Sequence, residues 1–220
     1  MSSSNNLQSI VLDLVEEFLI KKTFFSINEI IDFINNRLRL NPDINRNKIE
    51  MIIKSLIKKK IIIPGTKLMK NNIIENPVRN EIFNYIKKNP SNINEIMKAL
   101  NIGSNHALWH LSCLEKFQFI RSRKINNQRL FFKFDSNPEF DKYYYYLNKE
   151  IIQHIINLLE TESKGLKITE IANTLKKNHS TIKKYIKILK NLKLIKTEKE
   201  NKRILFKLAK EEYLKIRTIL

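Results

Sequence analysis

A displacement of 75 residues lays one part of this chain on another. Ile93, Ile96, Leu100, Ala107, Leu111, Leu114, Phe117 and Ile120 fall on Ile168, Ile171, Leu175, Ile182, Ile186, Leu189, Leu192 and Ile195 without a gap. An internal repeat constrains a fold more than composition does, because one supersecondary unit must serve twice. Part of the pattern occurs earlier still: Ile49, Ile53, Leu56 and Ile62 keep the spacing of Ala107, Leu111, Leu114 and Ile120. Residues at i, i+4 and i+7 share one face of a helix, so each set predicts a buried stripe. Shorter stripes precede it at Ile93/Ile96/Leu100 and Ile168/Ile171/Leu175. The seven-residue steps from Leu100 to Ala107 and from Leu175 to Ile182 leave room only for a short turn. Asn101-Ile102-Gly103 and Lys176-Lys177-Asn178 occupy those turns, with Gly or Asn available for a positive φ. Ser104 and Ser180 are placed to cap the next helices. Two short helices so joined are a helix-turn-helix.

The segments after the two second helices repeat as well. Phe119–Ile125 leads through Asn126-Asn127-Gln128 to Arg129–Phe134, and Leu194–Lys199 leads through Glu200-Asn201-Lys202 to Arg203–Leu208. Both read as β-hairpins with polar, Asn-bearing tips, which predicts a winged helix. With Trp109-His110-Leu111 followed by Cys113-Leu114-Glu115-Lys116 in the second helix, the run resembles the winged helix-turn-helix regulators of archaea and bacteria, of the ArsR/MarR-like type. Leu166–Leu208 is similar to the same family, so the resemblance covers roughly residues 77–134 and 148–220. It implies a winged-helix fold and functions that range from repressors to protein-interaction scaffolds.

Residues 7–70 depart from the pattern. Leu7–Lys22 and Ile27–Leu38 read as amphipathic helices, with Ser26 as a cap for the second. The connection Arg39–Asn45 is long for a turn, and no clear return strand follows Ile61-Ile62-Ile63 and Pro64-Gly65-Thr66. The fold class expected is therefore mainly α with small β-hairpin wings: three tandem winged helix-turn-helix domains, the first degenerate. The boundaries expected are 1–72, 77–135 and 142–220, the last with a C-terminal helix, joined by linkers Asn71–Pro77 and Asp135–Asp141.

Charge suggests what such units meet. The chain carries 41 Lys+Arg against 22 Asp+Glu, a formal charge of +19, which points to a polyanion. The excess is +4 over residues 1–75, +6 over 76–138 and +9 over 139–220. With Ile182, Ile186 and Leu189 inward, the last recognition helix turns Ser180, Thr181, Lys183, Lys184, Lys187 and Lys190 outward. Short polar groups near the N-terminus suit base edges, and flanking lysines suit phosphates. Lys202 and Arg203 at the wing tip would reach a neighbouring groove or backbone. In the middle unit the basic element is the wing, with Arg121, Arg123, Lys124 and Arg129 as phosphate contacts. Its second helix presents Leu108 and Trp109 instead, residues for packing on a neighbouring helix or for a homodimer or protein-partner contact.

Other chemistries find less support. Three isolated glycines at 65, 103 and 165 make neither a GxGxxG nor a Walker loop. The single cysteine, Cys113, excludes an intrachain disulfide framework. His106, His110 and Cys113 lie at i, i+4 and i+7, but such a column rarely converges on a metal without a ligand from a second element, so neither metal nor cofactor is expected. The run Tyr143–Tyr146 reads as packing against the middle unit, with base stacking on single strands as the alternative. No catalytic motif is present, so the chain reads as a non-enzyme. The start lacks a basic leader and no apolar run nears the ~18 residues of a membrane span, so a cytoplasmic protein without membrane insertion is expected. The leading reading is a DNA-binding transcription regulator on double-stranded DNA. The alternatives are an ESCRT-II-like or polymerase-associated scaffold subunit, or a replication initiator.

Overall fold

Three apolar clusters in chain order organise the computed structural model, which describes residues 2–22, 26–40, 44–200 and 203–220. The first cluster is made by α1 (Ser2–Lys21), α2 (Ile27–Leu38) and α3 (Arg46–Lys58). Val11, Val15, Ile30, Ile34, Ile49, Ile53 and Leu56 meet in it. Ser26 starts α2 with reciprocal bonds: Glu29 N–H donates to Ser26 Oγ (3.3 Å) and Ser26 N–H donates to the Glu29 carboxylate (2.7 Å). Lys22 and those Ser26 bonds hold the Glu29 carboxyl down to about 2. Part of the long connection, residues 41–43, lies outside the described residues. No strand lies between α3 and Lys70, but Ile62 and Met69 form an isolated antiparallel bridge, and Lys70 N–H donates to Ile61 O at 2.8 Å.

The second cluster is built from α4 (Lys70–Ile73), α5 (Pro77–Lys88), β1 (Ser91–Asn92), α6 (Ile93–Leu100), α7 (Ser104–Lys116), β2 (Ile120–Ile125) and β3 (Gln128–Lys133). The strands pair antiparallel in the order β1-β3-β2. Asn126 and Asn127 turn the hairpin with φ of 47° and 63°, the left-handed pair a two-residue turn requires. Asn101 ends α6 at φ 51°, where a short polar side chain tolerates the left-handed region.

After a 3-10 turn at Pro138–Phe140 come α8 (Asp141–Leu147), α9 (Glu150–Thr161), α10 (Ile168–Thr174), α11 (His179–Asn191), β4 (Ile195–Glu200), β5 (Arg203–Leu208) and α12 (Lys210–Ile219). Leu166 bridges Phe206 beside the β4–β5 pair. Gly165 makes that approach possible, since at φ 83° a Cβ would stand 2.8 Å from Lys207 Cγ and 3.0 Å from Phe206 O. Two local expectations fail. Ser104 and Ser180 lie inside the first turns of α7 and α11, with Gly103 and Asn178 at the cap positions and no side-chain cap bond. The positive φ of the second turn falls on Lys176 (49°), one residue after α10's cap at Leu175, and not on Asn178.

Ile53, Leu111 and Ile186 are all buried, as the repeat requires. The clusters are not sealed from one another. Along β3 successive side chains alternate, so Phe131 enters the second cluster while Leu130 and Phe132, with Ile125 of β2, enter the third. Around the earlier bridge, Ile62 and Met69 belong to the first cluster and Ile63 to the second. Each return segment thus lies between two cores. Both expected linkers are folded, the first into α4 and the second into the 3-10 turn leading to Asp141, which is completely buried.

Candidate nucleic-acid interface

In α11 the stripe Ile182, Ile186 and Leu189 is buried, which fixes the helix and turns the intervening positions outward. Ser180, Lys183, Lys184, Lys187 and Lys190 are exposed and Thr181 is half-buried. Among the described residues Lys183, Lys187 and Lys190 make no ion pair, while Lys184 Nζ sits 5.7 Å from the Tyr185 ring. A strip of ammonium groups without carboxylates is open to an external anion. Lys176 and Lys177 in the preceding turn, and Lys193 and Lys196 beyond the helix, are exposed as well. The sequence reading of the helix face passed over these four because they lie outside the helix. Their lysine identity at both of its ends was the available signal.

The β4–β5 hairpin has one face on the third cluster through Ile195, Phe206 and Leu208 and leaves most of β4 exposed. Lys207 Nζ pairs with Glu198 at 2.6 Å, which neutralises one wing carboxylate. Arg203 is exposed at the start of β5, and Lys202 lies outside the described residues.

The middle wing is arranged differently. Arg121 donates to both carboxylate oxygens of Asp141, at 2.9 and 2.6 Å, and to Ser136. Arg123 donates to Pro138 O at 2.8 Å, and its guanidinium stands 3.5 Å from Asp141. Arg129 pairs with Glu115 at 2.5 Å. Three of the four cations expected to hold phosphate therefore have partners in the chain, Arg123 and Arg129 while remaining exposed, and Lys124 alone is exposed without an ion pair among the described residues. The segment that leads into α8 supplies the partners of Arg121 and Arg123, and Glu115 on α7 supplies that of Arg129.

On α7, Leu108 and Trp109 are 48% and 58% exposed. Trp109 packs its ring edge-on to His110 (4.7 Å) and beneath the Arg79 guanidinium (5.7 Å). His106 and His110 approach Nε2 to Nε2 at 2.8 Å, while Cys113 Sγ accepts from Arg79. Burial first, then the His106 and Arg79 charges, hold His110 down to about 4. No group of three metal-ligating side chains gathers among the described residues. The tyrosine run is structural in its contacts: Tyr145 and Tyr146 are buried, and Tyr143 donates to Leu192 O at 3.2 Å. Among the described residues no helix is long and apolar enough to cross a membrane.

Helix α10, the turn, helix α11 and the β4–β5 hairpin together make a winged helix-turn-helix. Residues 145–201 match the family model described as a winged helix-turn-helix transcription repressor, HrcA DNA-binding. The chain is also 33% identical over 135 residues to an uncharacterised HTH-type transcriptional regulator of Methanocaldococcus jannaschii. That match covers 61% of this chain and 34% of the relative, so the chain spans about a third of the relative's length.

Proposed function

We propose that this chain is a DNA-binding transcription regulator, a binding protein and not an enzyme, built of three consecutive winged-helix units, the first degenerate and the other two of ArsR/MarR-like type. In this reading the C-terminal unit contacts duplex DNA. The observation that carries it is the exposed face of α11, where Lys183, Lys187 and Lys190 have no internal counter-ion among the described residues. The match of residues 145–201 to a DNA-binding winged helix, and the likeness to a protein named as a transcriptional regulator, support the same reading. Ser180 and Thr181 approach base edges, the lysines flank the phosphates, and Arg203 extends the contact from the wing.

Each phosphate contact releases condensed counterions, so log K falls against log[salt] by about 0.9 per contact. Titration of mixed duplex DNA at several salt concentrations tests this. Lys184→Ala is expected to lower the slope by nearly one unit for all duplexes, and Thr181→Ala to change sequence preference with the slope kept. The triple change of Lys183, Lys184 and Lys187 to Ala should weaken binding far more than the same change at Lys58, Lys59 and Lys60. Equal losses would favour a second reading, a protein-contacting scaffold, for which the exposed Leu108 and Trp109 on α7 speak.

A further inference from the structure

Away from α11, a cavity of about 370 Å³ opens where the second and third clusters meet. Ligand sites run from about 300 to 1,000 Å³, so this one has room for a small organic molecule. Its apolar walls come from both sides. Ile86 of α5 belongs to the second cluster, Phe132 of β3 and Tyr144 of α8 belong to the third, and Pro90 and Leu220 add to them. The charges on the wall are uneven: among the described residues Lys87 and Lys133 line the cavity with Asp135 as the one acidic side chain. Lys133 Nζ is taken up by Asp135 at 2.8 Å. Lys87 is exposed at the end of α5, and its ammonium has no ion pair or hydrogen bond among the described residues. The Tyr144 hydroxyl has no hydrogen bond among them either. A hydrogen bond from Lys133 first, then the charge of Lys133 and last that of Lys87, hold the Asp135 carboxyl below its ordinary value. The Lys87 charge is thus felt on the cavity wall.

We propose that this cavity is a binding site for a small organic carboxylate, a single negative charge on an apolar body about the size of a ring. Lys87 supplies the counter-charge and the Tyr144 hydroxyl a donor, while Ile86, Pro90 and Phe132 supply the apolar contact. The sign and size of the charge follow from the wall. With Lys133 spent on Asp135, one positive charge is left over. A dianion such as a phosphate monoester would bring more negative charge than the wall balances, and an ammonium ligand would meet Lys87 as a like charge. Because the walls come from two clusters, an occupant touches both at once. Neither α11 nor the β4–β5 hairpin lines the cavity, so the inference is independent of the nucleic-acid reading.

The test titrates the full chain with 3-phenylpropionate and follows backbone amide shifts by NMR. Saturation at a single site with a Kd of about 1 mM or tighter is expected for a ligand of this size, with the shifts gathered around Lys87, Phe132 and Tyr144. The neutral 3-phenylpropanamide should bind about threefold more weakly, the worth of an exposed ion pair. Acetate, which keeps the charge and lacks the body, should bind at least about tenfold more weakly. Lys87→Gln, a surface change that leaves the core intact, should erase the preference for the carboxylate over the amide. Lys88→Gln, next in the chain but not on the cavity wall, should keep it. Shifts that do not saturate or that gather elsewhere overturn the proposal. So does equal binding of the carboxylate and the amide by the wild type, and so does a Lys87→Gln variant that keeps the preference.

Discussion

Single residues decide how rigid the middle of the chain is. Asp141 is completely buried and accepts from both terminal nitrogens of Arg121, with Arg123 behind. Removing one partner of such a pair leaves an uncompensated buried charge, at a cost of roughly 3–5 kcal/mol. Asp141→Asn should therefore lower the unfolding free energy by about 3 kcal/mol in urea titrations. His110 sets a pH dependence. Its folded value is about 4 against an ordinary 6.5, so between those values the unfolded chain binds the proton more readily. Its contribution to stability is complete above 6.5 and is lost as pH falls toward 4. Melting temperatures measured from pH 7 to 4 should fall more steeply for the wild type than for His110→Gln. Neither role was legible in the sequence. Asp141 stands close to an Asn-Pro pair and looks like linker, and Arg121 looks like a wing cation, because only the folded hairpin brings them together.

At the scale of elements, periodicity was a good guide and termini were a poor one. The stripes of α3, α7 and α11 are buried where their spacing placed them. A stripe is repeated information, three or four residues agreeing on one face, whereas a cap depends on the φ and ψ of one residue. Serines 104 and 180 fit a first helical turn as well as a cap, which is why the cap positions went to Gly103 and Asn178. The firmest start in the middle unit is instead Asn92, whose side chain accepts from Glu95 N–H at 3.0 Å while the Glu95 carboxylate accepts from Asn92 N–H at 3.1 Å. Asn92→Ala should cost about 1 kcal/mol, read from chemical denaturation. The bridge between Ile62 and Met69 was missed because a single pair of residues has no alternation to detect.

Across the whole molecule, the buried stripes were legible and the contacts between the apolar clusters were not. Alternation in β3 reads equally well as one face to a core and one to solvent. The structure gives the second face to the next core, through Leu130 and Phe132. A Leu→Ala change at a buried site costs roughly 2–5 kcal/mol, and here Leu130→Ala should reduce hydrogen-exchange protection in α9 and α11 as well as in β3. Ile53→Ala, in the first cluster, should leave α11 protection unchanged. Glu95 and Lys149 tie the same two regions by an ion pair next to Tyr145. Burial works against the Lys149 charge, but Glu95 and Tyr145 more than offset it and hold the ammonium above the ordinary lysine value. The shared hairpins also bear on how such a chain is able to change by recombination. A crossover at residue 141 would separate Tyr145, Tyr146 and Phe206 from Ile125, Leu130 and Phe132, which complete their core. Transplanting the last unit between proteins therefore requires carrying its neighbour's hairpin along, so the inheritable module begins one hairpin earlier than the repeat itself.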